Sequence, residues 1–294
     1  MVYRRKIILS LLDSFGGTLP KISLQKILFL FTNRQQIPNY DFVPYKFGCY
    51  SFSANADLRA MIKHKLISDN KGCFRKIDRS NYVNILEKED KEILNHIISE
   101  YRYMSSDSLM KLTYINYQYY AINSIKAKEI LTNEQYINII KAKPQNDATT
   151  LYTIGYEGIS LEAYLNRLIK NDIKVLVDVR NNPLSMKYGF SKSQLKTYCE
   201  SLNIEYIHIP EVGIQSSQRQ NLYRQSDYDA LFKVYNEVNL KKTQIYQEQI
   251  LNLLIAKKRI ALTCFEANIC QCHRTHLAKA IINLPEWKYD LKHI

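Results

Sequence analysis

The sequence predicts an α/β protein: a basic, mainly helical, winged-helix-like N-terminal domain, then a domain built on a mostly parallel sheet flanked by helices. Three observations carry this expectation. Up to residue 143 apolar side chains recur mainly at helical spacing, ahead of and behind one basic turn. Residues 141–150, with Pro144, Asn146 and Asp147, have linker chemistry. From Leu151 onward, short apolar strand-like runs alternate with helical patterns, the signature of parallel strands joined by helical crossovers. The domains are therefore expected at 1–143 and 151–294.

Taken in order, residues 2–15 read as a helix stopped by Gly16-Gly17. Ser23 is the expected cap of a second helix, 24–32, apolar at nearly every position and so buried. Pro44 keeps 40–48 out of a helix interior. Residues 53–67 read as a third helix bearing Arg59, Lys63 and Lys65, and 71–76 as a basic, glycine-bearing turn with strand-like flanks. Three helices followed by a basic hairpin is the element order of a winged helix-turn-helix. Helices at 89–103 and 107–114 follow. The tyrosines of 114–120 are expected to pack between the domains rather than stack on bases.

In the second half, 151–154, 175–179, 204–209 and 260–264 read as strands, with a final strand within 287–294. Helical patterns fall at 161–169, 191–202, 229–256 (one or two helices) and 273–282. In such a sheet, ligands sit at the carboxyl ends of the strands.

Composition narrows the class. No apolar run approaches the roughly 20 residues that span a bilayer, and Asp13 interrupts the short apolar stretch after Arg4-Arg5-Lys6, so neither a membrane span nor a signal peptide is expected. The expected location is cytoplasmic, and the six cysteines are expected to be free thiols. The net charge of +13 divides as +8 over residues 1–148 and +5 over 149–294, a bias that attracts polyanions. Nucleic acid, DNA above all, is the expected partner.

Each expected parallel strand ends in chemistry. Gly155-Tyr156-Glu157-Gly158 follows the first, and Asp178-Val179-Arg180 with Pro183, Ser185, Gly189-Phe190-Ser191 and Lys192 follows the second. Pro210-Glu211-Val212-Gly213 follows the third; Cys264-Phe265-Glu266, then Cys270, Cys272, His273 and Arg274, follow the fourth. Carboxylates that share one cleft push their pKa values apart, as acid–base catalysis needs.

These motifs together resemble the domain of unknown function 488 family, in order, over residues 151–294. Two positions depart from that family's pattern: Met186 follows Ser185 where Arg or Trp is usual, and Ile214 follows Gly213 where a glycine pair is common. Residues 24–30, with 40–53, are similar to the Panacea or SocA-like antitoxin-associated domain. That similarity implies a winged-helix-like architecture and a role in DNA or partner recognition.

The leading expectation is a DNA-binding hydrolase acting on bases or base adducts, with N-glycosidic cleavage as the reaction and defence against foreign DNA as its setting. Glu157 and Asp178 are the candidate catalytic carboxylates, with Glu266 next, and Cys272 is a candidate thiolate at a helix N-terminus. Arg180, Lys192 and Arg274 are candidates to hold phosphates, and Tyr156 and Phe190 to stack on an extruded base. Ser185, Glu211 and His273 complete the expected substrate side. No cofactor is required by this chemistry. An alternative is a metal or thiol site, with zinc on Cys264, Cys272, His273 and His276. A third reading is a non-enzymatic regulator that senses a nucleotide, although neither G-x-G-x-x-G nor the P-loop pattern occurs.

Overall fold

The computed structural model describes residues 1–219 and 222–294. The chain divides into two compact units, Met1–Lys143 and Pro144–Ile294. Among the described residues no helix is long and apolar enough to cross a membrane.

In the first unit, α1 (Tyr3–Ser14) is closed by Gly16 and Gly17, whose φ values of 85° and 79° release the chain into β1 (Thr18–Pro20). The second helix, α2 (Lys21–Thr32), starts earlier than its apolar pattern suggests, because Pro20 supplies the N-cap. Ser23, the expected cap, lies inside the helix and bonds to Ser106 Oγ at 2.8 Å. A small hairpin, β2 (Val43–Tyr45) and β3 (Gly48–Tyr50), precedes α3 (Phe52–Lys63), which Ser51 caps. The expected end of α3 at residue 67 is corrected: Lys65 takes φ 56° and the chain enters β4 (Ile67–Asn70), then β5 (Cys73–Lys76). These form an antiparallel sheet in the order β1-β5-β4. Four helices complete the unit: α4 (Lys88–Tyr101), α5 (Ser106–Asn116), α6 (Ala127–Ile130) and α7 (Asn133–Ala142).

Its core gathers around α2, ten of whose twelve residues are buried. Tyr117 and Tyr120 meet Phe29 edge-on at 4.9 and 4.8 Å between ring centroids. The tyrosine cluster expected between domains thus serves the first unit's own core.

The second unit runs β6 (Thr150–Gly155), α8 (Leu161–Lys170), β7 (Val175–Asp178), α9 (Lys192–Ser201) and β8 (Glu205–His208). Then come α10 (Gln225–Val234), α11 (Leu240–Lys242), α12 (Gln244–Lys257), β9 (Arg259–Cys264), α13 (His273–Ile282) and β10 (Asp290–His293). All five strands are parallel, in the order β10-β6-β9-β7-β8. Every residue of β6, β7 and β9 is buried, which explains why these runs are largely apolar and do not alternate: a parallel strand covered on both faces has no solvent side to alternate with. The β9 strand is inserted between β6 and β7, so Gly155, Cys264 and Asp178 end side by side although far apart in sequence.

Candidate active site

At these strand ends a cleft of about 300 Å³ is lined by Tyr156, Asn182, Ser185, Arg219, Cys264 and His273, among others. Two buried polar clusters form its walls.

The first is built on Asp178, the last residue of β7 and fully buried. Arg180 grips it with two parallel bonds, Nε to Oδ1 at 2.8 Å and Nη2 to Oδ2 at 2.5 Å. The Arg180 amide and the Tyr206 hydroxyl also donate to this carboxylate. Arg180 Nη1 donates to Tyr156 Oη at 2.7 Å and to the Phe190 carbonyl at 2.9 Å. Burial and the neighbouring Asp178 charge raise the Tyr206 hydroxyl above its ordinary range. The guanidinium of Arg180 stays charged: burial opposes this, and Asp178 overcomes it. Both Asp178 oxygens are thereby taken, so its geometry suits a fixed anchor for Arg180 rather than a base that must release a water.

Tyr156 and Phe190 stack on each other, 4.2 Å apart and 9° from parallel. Both are buried, so neither offers a free face to a base. Phe265, 42% exposed, is the aromatic ring at the cleft that solvent reaches.

The second cluster joins β9 to α13. Cys264 Sγ lies 3.0 Å from Glu266 Oε2 and 3.5 Å from His273 Nδ1. His273 Nε2 faces the Val179 carbonyl at 3.0 Å; a carbonyl only accepts, so Nε2 carries a proton and Nδ1 faces the thiols. Arg219 pairs with Glu266 Oε1 at 2.9 Å and approaches His273 Nδ1 at 3.2 Å. Burial alone would raise the Cys264 thiol, but a hydrogen bond from Cys272 and the charges of His273 and Arg219 hold it well below the usual thiol range. Cys272 moves the other way, raised by burial and by the Cys264 charge beside it. Glu266 is raised by burial and then by Cys264. Among the described residues, Cys264, Cys272 and His273 form a set able to hold a metal, their ligand atoms all within 4.8 Å of one another.

The remaining expected site residues scatter. Glu157 is exposed and caps the 266–267 turn, accepting from the Ala267 amide at 3.0 Å. Lys192 contacts His208 Nδ1, outside the cleft lining. Glu211 is exposed and lines no part of it. Arg274, expected to hold phosphate, is buried and donates to the Glu266 and Ala267 carbonyls instead. His276 lies against the Phe232 ring and is not one of the three grouped ligands. Two residues of the clusters, Arg219 and Tyr206, are not among the expected ones: Tyr206 sits on β8, whose alternation marks it, whereas nothing local marks Arg219.

No curated protein and no solved structure compared with the chain gives a match. The cleft falls largely within a segment that does: residues 160–281 match the family model described as "Domain of unknown function DUF488".

Proposed function

We propose that the protein is a nucleic-acid-directed hydrolase whose second unit carries the reaction centre. The observation that supports this most is the convergence of Cys264, His273, Glu266 and Arg219 beside an open polar cleft, at the strand ends where α/β sheets hold ligands. Buried charges are kept where chemistry uses them, and a purely structural sheet has no need of four such groups together. In this reading Glu266, beside the cleft rather than in its lining, takes the proton of a water once the single Cys264 contact to its Oε2 gives way. Arg219, which does line the cleft, holds the carboxylate through Oε1 and faces an anionic substrate. The water oxygen joins the carbon of a C–N bond, and the proton returns to the departing nitrogen. Asn182 and Ser185 offer hydrogen bonds to a base edge, and Phe265 replaces Tyr156 and Phe190 as the stacking surface. Asp178 shapes the wall through Arg180.

The first unit supplies the nucleic-acid affinity. Its element order and its β1-β5-β4 sheet support the winged-helix reading, and Lys63 at the end of α3, Lys65 just beyond it, and Lys71 and Arg75 on the hairpin that follows are exposed. The test is incubation of the purified chain with plain and base-modified DNA, single- and double-stranded, with products read by mass spectrometry. A released base or altered mass, lost in Glu266→Gln, is the expected result. Salt-sensitive binding with no product on any DNA would overturn the hydrolase and leave a DNA-binding regulator.

A further inference from the structure

We propose that Cys264, Cys272 and His273 hold one zinc ion whose fourth coordination position opens into the cleft. For its use in catalysis this rests on the hydrolase reading; for its existence it rests on geometry alone. Two sulfurs and one imidazole nitrogen are a soft donor set suited to zinc. Bond lengths of about 2.3 Å to sulfur and about 2.0 Å to nitrogen place two tetrahedral ligand atoms about 3.5 Å apart. The observed Cys264 Sγ to His273 Nδ1 distance is 3.5 Å. Cys272 completes a group whose ligand atoms all lie within 4.8 Å of one another.

The surroundings carry the same signature. A metal-bound imidazole normally donates its other N–H to a fixed acceptor, which sets tautomer and ring plane. His273 does this to the Val179 carbonyl at 3.0 Å, leaving Nδ1 toward the two sulfurs. Cys264 closes β9, Cys272 is the N-cap of α13 and His273 its first residue, so both attachment points are rigid. Structural zinc sites favour closely paired cysteines. Here the ligands come from a strand end and a helix start, as in a catalytic site with one position left open. Cys264 and His273 both line the cleft, which directs that position to substrate. Arg219 Nη2 lies 3.2 Å from His273 Nδ1, so an ion on Nδ1 requires that this one contact give way, whereas the Nη1 pair with Glu266 involves no ligand atom. The zinc-bound water passes a proton to Glu266, the hydroxide so formed attacks the carbon of the C–N bond, and the nitrogen leaves with the bonding pair and recovers that proton.

Two measurements test the site. Elemental analysis of chain purified without chelator is expected to give about one zinc per protein, falling at least about fivefold in Cys272→Ser and in His273→Gln but not in Cys270→Ser. Cysteine 270 is exposed and outside the ligand group, which makes it the control. Cobalt substitution is expected to give the intense visible bands of a tetrahedral thiolate site, lost in the same two variants. Zinc content unchanged in both variants, or no cobalt spectrum from folded wild-type chain, would overturn the site. DNA turnover by metal-free protein would overturn the zinc's part in catalysis and leave the hydrolase standing. Zinc bound without turnover on any DNA would sink the hydrolase and leave the metal site.

Discussion

Asp178 and Arg180 form a buried, doubly bonded ion pair two residues apart, the guanidinium turned back onto the strand end that precedes it. Removing one partner of such a pair strands the other charge, at a cost of about 3–5 kcal/mol. Asp178→Asn is therefore expected to lower the unfolding free energy by that order, measured in urea. A variant as stable as wild type but without turnover would instead make Asp178 a catalytic carboxylate. Arg180→Lys is expected to be nearly as damaging, since lysine reproduces neither the fork to Asp178 nor the bonds to Tyr156 and Phe190.

Gly155 is set by crowding rather than by backbone angle. A β-carbon there would sit 2.0 Å from the Glu266 carbonyl oxygen and 2.8 Å from its carbon. That carbonyl is backbone and is also gripped by Arg274, so it cannot turn aside cheaply. Gly155→Ala is expected to cost about 1–3 kcal/mol and to shift the turn carrying Glu266. Loss of turnover beyond the loss of folded protein, read by circular dichroism alongside the product assay, is the outcome to look for.

These two positions show what sequence could and could not disclose. Buried parallel strands announce themselves through short, largely apolar runs without alternation, so 151–154, 175–179 and 260–264 are legible as strands. The polar residues at their ends were legible as a site because the strand-end rule says where to look. What sequence lacked was partner choice. Asp178 and Glu157 look alike as strand-end carboxylates, yet one is locked under Arg180 and Tyr206 and the other caps a turn. Arg219 was invisible because its role depends on a loop folding back across the sheet end. Residue 24 looked like a helix start because apolar periodicity is silent about Pro20.

Alkaline pH is expected to unfold the chain through its buried tyrosines. Burial raises Tyr40, Tyr206 and Tyr235 above the ordinary value of 10, and Tyr114 up to about 12. A group with a raised folded pKa contributes stability that is complete below its unfolded pKa and is lost as pH climbs through the folded value. Stability should therefore hold with respect to these tyrosines up to about pH 10 and fall above it. Tyrosinate absorbance should rise in two stages, exposed rings first and the buried set together with loss of helix. A single smooth titration that leaves the helix signal intact would contradict this.

The hairpin between β4 and β5 separates charge from fold. Asn70 pairs with Cys73, leaving Lys71 and Gly72 as a two-residue turn with φ values of 46° and 88°. Such turns favour asparagine at the first position, because a lysine backbone resists positive φ. Lys71 is exposed, so it contributes charge at the tip while working against the turn. Lys71→Asn is accordingly expected to keep or slightly raise thermal stability. If this tip meets nucleic-acid phosphate, the same change removes about one released counterion, and the slope of log K against log salt should flatten by about 0.9. Affinity should drop alike on specific and unrelated DNA, since a phosphate contact carries no sequence information. An unchanged salt slope in a stable Lys71→Asn variant would remove the hairpin from the interface and direct attention to Lys63 and Lys65 on and just beyond α3.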